Sequence, residues 1–191
     1  MTTRLKQNCS GSLRPPDDDP VAAVCDRRSE DDSGAHRAPL QKRRLHRLDR
    51  IFVDSPIYFL TACTTARNPI LACAEIHQSF KDFCNKSPKH GAWVGRYVLM
   101  PDHLHLFVSV DDISLSNWVK SLKNALSKSL RGLGCEAPHW QKGFFDHLLR
   151  SGESYSQKWD YVRANPVRAG LAAIPEDWPY AGEIRNLEYR K

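Results

Sequence analysis

Two stretches of this sequence carry side chains that could do chemistry together. The first, Tyr97-Val98-Leu99-Met100-Pro101-Asp102-His103-Leu104-His105-Leu106-Phe107-Val108-Ser109-Val110, holds two imidazoles two residues apart. Pro101-Asp102 is a turn pair between two apolar runs, so the segment is predicted to be a strand, a tight reversal and a second strand. Alternation along a strand puts His103 and His105 on one face, about 7 Å apart, and Leu104, Leu106, Val108 and Val110 on the other. Two imidazoles so placed can converge on one divalent cation. They can equally be two solvated histidines on an open sheet face, and the pair alone does not decide.

The second stretch, Glu153 to Asn165, lies between Gly152 and Pro166 and is predicted to be a helix. At about 100° per residue, Tyr155, Trp159 and Val162 share one narrow stripe, the packing face. Tyr161 falls away from that stripe, over Asn165 one turn later and beside Lys158 one turn earlier. One helix face therefore offers a phenol, an amide oxygen and an ammonium. Asn165 could join the two histidines on a metal, with Tyr161 next to whatever the metal polarises. A half-exposed tyrosine and an asparagine ahead of a proline is the competing reading; only conjunction with the histidine pair favours chemistry.

The elements that must position these residues follow from periodicity. Ile57 to Thr64 is aromatic and β-branched, a buried first strand. Asn68 is read as the cap and Pro69 as the first residue of a helix in which Cys73, Ile76, Phe80 and Phe83 or Cys84 recur at helical spacing. The loop Ser87 to Gly91 ends it, and Trp93–Leu99 with Leu104–Val110 forms the hairpin. Ser114 begins a second helix with the stripe Leu115, Trp118, Val119, Leu122, Leu126 and Leu130 and an opposite face of Lys120, Lys123, Lys128 and Arg131. Such a row usually solvates a helix, yet it could follow a phosphate backbone. Phe144 to Leu149 is a final strand. The order is the α+β, ferredoxin-like βαββαβ antiparallel sheet, with helices on one face, the histidines on the open face and a C-terminal helix carrying Tyr161. That scaffold does not by itself assign a function.

A formal charge of +6 favours an anionic partner, and without a basic amphipathic terminal helix nucleic acid is preferred to membrane. Six cysteines without a Cys-x-x-Cys pair read as reduced thiols. No leading apolar segment or membrane span is apparent, which suits a cytoplasmic, nucleoid-associated protein. Residues 1–44 are predicted to be a disordered tail with acidic and basic clusters, residues 45–182 the functional domain and 183–191 a short tail.

Four ordered blocks resemble the single-tyrosine HUH transposases (IS200-like), and most closely the REP-associated tyrosine transposases. They are Tyr97 to His105, Trp140-Gln141-Lys142-Gly143-Phe144-Phe145-Asp146-His147, Tyr161-Val162-Arg163-Ala164-Asn165-Pro166-Val167-Arg168-Ala169-Gly170-Leu171, and Asp177-Trp178-Pro179. The resemblance implies cleavage and rejoining of single-stranded DNA bearing palindromic hairpins, through a 5′-phosphotyrosine intermediate, by a monomer or homodimer. It implies Tyr161 as nucleophile and His103, His105 and Asn165 as ligands of a divalent metal. Two imidazoles favour borderline ions such as Mn²⁺ or Zn²⁺ over Mg²⁺, whereas the resemblance implies Mg²⁺ or Mn²⁺; one of the latter two is expected, with Zn²⁺ as an inhibitory occupant. Lys120, Lys123, Lys128, Lys158, Arg163 and Arg168 are the expected DNA contacts, Lys158 doubling as an electrostatic aid to the tyrosine. His147 is read as a surface or packed histidine in preference to a ligand. The rival readings are a hairpin-binding protein that has lost catalysis and a small zinc hydrolase.

Overall fold

The computed structural model describes residues 56–187; the predicted N-terminal tail lies outside them. Five strands form one antiparallel sheet: β1 (Ile57–Cys63), β2 (Ala92–Leu99), β3 (His103–Val110), β4 (Phe145–Leu148) and β5 (Ala181–Glu183), in the order β4-β1-β3-β2-β5. The first four reproduce the predicted βαββαβ arrangement. The fifth was not anticipated; it pairs with β2 through Arg96, Tyr97 and Val98.

Two helices, α1 (Ala74–Lys86) and α2 (Leu115–Gly132), cover one sheet face. The predicted stripes are what they bury: Ile76, Phe80 and Cys84 from α1, and Leu115, Trp118, Val119, Leu122, Leu126 and Leu130 from α2, against Leu60, Leu104, Leu106 and Val108 of the strands. Leu122 is fully buried in this layer. Leu122→Ala should therefore cost about 2–5 kcal/mol of stability, measured by urea unfolding, because the surrounding side chains only partly close the hole.

Helix α1 starts at Ala74 after Cys73, not at Asn68-Pro69. The intervening backbone is committed elsewhere. The Thr64 hydroxyl reaches the carbonyls of Asn68 and Asp102, and the Leu71 amide donates to Pro101 O at 2.8 Å. The segment is thus pinned to the reversal before His103.

The expected open face is covered as well. A third helix, α3 (Gly152–Arg163), lays Tyr155 and Val162, with half-buried Trp159, on a second apolar cluster of Ile57, Phe59, Val98, Met100 and Phe107. Every residue of β3 is buried, as expected of a strand with apolar contacts on both faces. The stripe of α3 was read correctly as a packing face; its docking surface is the histidine side of the sheet. A one-turn helix, α4 (Asn165–Arg168), continues from α3.

The edge by β2 explains one glycine. A Cβ on Gly95 would stand 2.8 Å from Leu187 Cδ1 and 3.1 Å from the Tyr155 hydroxyl, so the chain after β5 closes on the sheet only over a bare backbone. None of the four described cysteines, at 63, 73, 84 and 135, is in a disulfide. No helix among the described residues is long and apolar enough to cross a membrane.

Candidate active site

His103 and His105 point to the α3 side of the sheet, as alternation requires. His103 is opposite Cys63 and His105 opposite Thr61 on β1. Their rings stand edge to face, 4.7 Å between centroids, and both are buried, His105 completely. They are not the solvated residues of an open face.

Each imidazole is held by its Nδ1. His103 Nδ1 is 2.6 Å from Asp102 Oδ1, and because a carboxylate only accepts, His103 donates. His105 Nδ1 is 2.8 Å from the Thr61 hydroxyl, with its ring stacked on Phe59 at 5.4 Å. The Nε2 atoms of both are buried and lack a hydrogen-bond partner. Two buried imidazole nitrogens that meet no protein donor or acceptor suit metal ligation, in which one ring nitrogen is oriented by a protein group and the other carries the metal.

Asp102, read from sequence as a turn residue, is 5% exposed. Its other oxygen lies 2.8 Å from Arg67 Nε. Burial raises the carboxyl pKa, but the hydrogen bond and charge of His103 and the charge of Arg67 outweigh it and hold the group below the usual carboxylate range. Burial first, then the charges of His103, Arg67, Lys158 and Arg168, push His105 well below the ordinary imidazole value, so it is neutral at physiological pH. Arg67, Lys158 and Arg168 are the side-chain cations whose charge reaches His105.

From α3 and α4 come Tyr161 and Asn165. The Lys158 ammonium lies 5.7 Å from the centre of the Tyr161 ring and 4.9 Å from that of Phe59. The Arg168 guanidinium is stacked on Tyr161 at 4.1 Å and donates to the Tyr161 carbonyl at 3.0 Å. It also donates to the Asn165 side-chain oxygen. Asn165 is 3% exposed and its Nδ2 is buried without a partner. The amide orientation is set by Arg168, since only the oxygen can accept from a guanidinium. Among the described residues no three His, Cys, Asp or Glu side chains cluster as a metal site.

The other expected DNA contacts divide. Lys120 and Lys128 are exposed, but on α2, which lies across the sheet from the histidines. Lys123 donates to the carbonyls of Gln141 and Gly143 and lies over the Trp140 ring, clamping that loop to α2. Arg163 is exposed and paired with Asp160 and Glu176, both at 3.3 Å. His147 is exposed at the β4 edge, opposite Phe59. Sequence reasoning missed Thr61, Arg67 and Asp102 as site residues. Asp102 adjoins His103 and was within reach; Arg67 carries no local signal, since both it and Ala66 adopt positive φ, 55° and 50°, which non-glycine residues rarely do.

The remaining motif blocks buttress the site. Trp140 bridges Thr64, and the Trp178 indole donates to the Leu99 carbonyl at 2.9 Å, tying the C-terminal segment to the end of β2.

Residues 53–163, more than half of the chain, match the family described as Transposase IS200 like. The chain belongs to this family, the single-tyrosine HUH transposases that include the REP-associated tyrosine transposases. It is 25% identical over 154 residues to a Haemophilus influenzae protein named as a REP-associated tyrosine transposase, covering 73% of this chain and 86% of that one. It is 27% identical over 99 residues to the REP-associated tyrosine transposase of Escherichia coli K12, covering 49% of this chain and 56% of that one. A solved structure described as a REP-associated tyrosine transposase bound to a REP hairpin has the same fold, with a TM-score of 0.56 over 69% of this chain and 79% of that one, at 22% identity.

Proposed function

We propose that this chain nicks and rejoins single-stranded DNA at palindromic hairpins, with Tyr161 as the nucleophile, in a domain spanning residues 45–182. The observation that carries this reading is the pair of buried, unpartnered Nε2 atoms on His103 and His105, set among the cations Arg67, Lys158 and Arg168. Imidazole nitrogens without protein partners, set in an electropositive surround, are suited to hold a cation and receive an anionic phosphate at once. Family membership and the hairpin held by the solved relative support the choice of DNA.

His103, His105 and the Asn165 oxygen would hold the ion, Mg²⁺ or Mn²⁺. When bound, it would withdraw charge from the non-bridging phosphate oxygens and so lower the barrier to in-line attack. The protein's own residues do the rest. Arg168 stacks on the Tyr161 ring and fixes its orientation, and Lys158 adds positive charge beside it. The Tyr161 oxygen gives up its proton to solvent and bonds to phosphorus; the bond from phosphorus to the 3′ oxygen breaks, and that oxygen takes a proton from solvent and leaves as a 3′-OH. The phosphotyrosine bond keeps the phosphoryl group activated, so another 3′-OH can reverse the step and join two ends. Lys120 and Lys128, across the sheet, would contact flanking phosphates outside the cleavage site.

The test is to incubate the protein with hairpin DNA carrying a single-stranded 5′ flank, with and without Mn²⁺. A denaturing gel should then resolve a covalent protein–DNA adduct that EDTA prevents. Tight, metal-independent hairpin binding with no nick in any flank would instead establish a non-catalytic hairpin-binding protein.

A further inference from the structure

We propose that Asp102 and Arg67 form a positioning relay that sets the proton of His103 on Nδ1 and leaves Nε2 free to bind the metal, an inference that rests on the reading of His103 as a ligand. The relay is a chain of three buried or half-buried groups. The Arg67 Nε donates to Asp102 Oδ2 at 2.8 Å, and Asp102 Oδ1 accepts from His103 Nδ1 at 2.6 Å. Both Asp102 and His103 are about 5% exposed. In the neutral form, an imidazole whose Nδ1 donates carries its lone pair on Nε2, the atom here buried without a partner. A carboxylate behind a histidine ligand also raises the basicity of the ligating nitrogen.

Arg67 reaches Asp102 from an unusual backbone. Ala66 and Arg67 both sit in the left-handed region, which is disfavoured for residues other than glycine. The turn is anchored from several directions. The Thr64 amide donates to Asp102 O, the Thr65 amide to His139 O, and the Arg67 guanidinium also reaches Cys63 Sγ at 3.1 Å. The anchoring aims one guanidinium at the carboxylate that orients His103.

The relay makes a prediction specific to hydrogen-bond polarity. In Asp102→Asn the residue keeps its shape, but Arg67 still requires an acceptor and takes the amide oxygen. The amide NH₂ then faces His103 Nδ1, which must accept, so the ring proton moves to Nε2 and blocks ligation. This is the wrong-tautomer effect known from serine proteases with the same Asp-to-Asn exchange.

The test uses the full chain. Long-range ¹H–¹⁵N spectra of the metal-free protein at pH 7.5 should show His103 as the Nδ1–H tautomer in wild type and as Nε2–H in Asp102→Asn. Affinity for Mn²⁺ alone, measured by electron paramagnetic resonance, should fall about 10- to 100-fold in Asp102→Asn. Adding Arg67→Asn, a side chain that tolerates the left-handed backbone, should free the amide to turn and recover part of the affinity. A role confined to folding predicts no such recovery. If the wild type binds Mn²⁺ and Asp102→Asn binds it equally with the tautomer unchanged, the relay is overturned and the metal reading stands. If the wild type binds no Mn²⁺, the metal reading fails and takes the relay with it.

Discussion

Tyr161→Phe is expected to abolish covalent capture of DNA while leaving hairpin affinity within about twofold of wild type, the range usual for a small change away from a buried network. The substitution removes one oxygen and keeps the ring on which Arg168 stacks at 4.1 Å, so the positions of Arg168 and Asn165 should survive it. With no oxygen on the ring, no phosphotyrosine bond can form, and the loss should be complete rather than graded. The control is the other tyrosine of the same helix. Tyr155 is 6% exposed, with its ring against Phe107 at 4.7 Å. Burial pushes its phenol above the ordinary value, which keeps it protonated and a poor nucleophile. Tyr155→Phe should therefore still form the adduct. If Tyr155→Phe loses the adduct and Tyr161→Phe keeps it, the nucleophile is misassigned.

These two tyrosines also show how far sequence reasoning reached. The angular separation of Tyr161 from Tyr155, Trp159 and Val162 is a property of the helix alone, and it is legible in the residues. So are the stripe of α2 and the alternation that sends His103 and His105 to the face opposite Leu104 and Leu106. What a helix stripe does not say is which surface it meets. The covered second face had a signal in Phe59, Val98 and Phe107, apolar residues on the histidine side of three strands, because a strand apolar on both faces is buried on both. The fifth strand had none, since Ala181-Gly182-Glu183 has no periodicity to read. Helix α1 starts late because hydrogen bonds from Thr64 and Leu71 to distant partners, Asp102 and Pro101, outweigh a local cap signal. The lysine row was recognised as one face of α2, and its place across the sheet from the histidines already follows from the alternation that sends Leu104 and Leu106 to the helices. Arg67 was out of reach, since its reach to Asp102 is set by tertiary contacts that hold a disfavoured backbone.

His105→Ala is expected to lower adduct formation by roughly a thousandfold, since the electrostatic help of a catalytic ion amounts to several kcal/mol and each 1.36 kcal/mol is a factor of ten. The same substitution tests whether the histidine is a ligand or only a packed ring. His105 is fully buried and stacked on Phe59, so its removal also leaves a cavity, and about 2–5 kcal/mol of stability should go with it. A purely structural histidine would lose stability and, below the melting temperature, keep both Mn²⁺ affinity and adduct formation. A ligand loses them even where the protein remains folded, while hairpin binding persists. The pH dependence of the metal-free protein separates the two effects further. The folded His105 pKa is depressed well below 6.5 by burial and the neighbouring cations, so on acidification the unfolded chain takes up a proton before the folded one. Wild-type stability should therefore fall as pH drops below about 6.5, and His105→Ala should fall less, since it has no imidazole there to protonate on unfolding. Urea unfolding of both proteins at pH 7.5 and pH 5 measures that difference. A gap between wild type and variant that is the same at both pH values would mean that His105 is not held neutral, and the lone pair proposed to bind the ion would not be available as described.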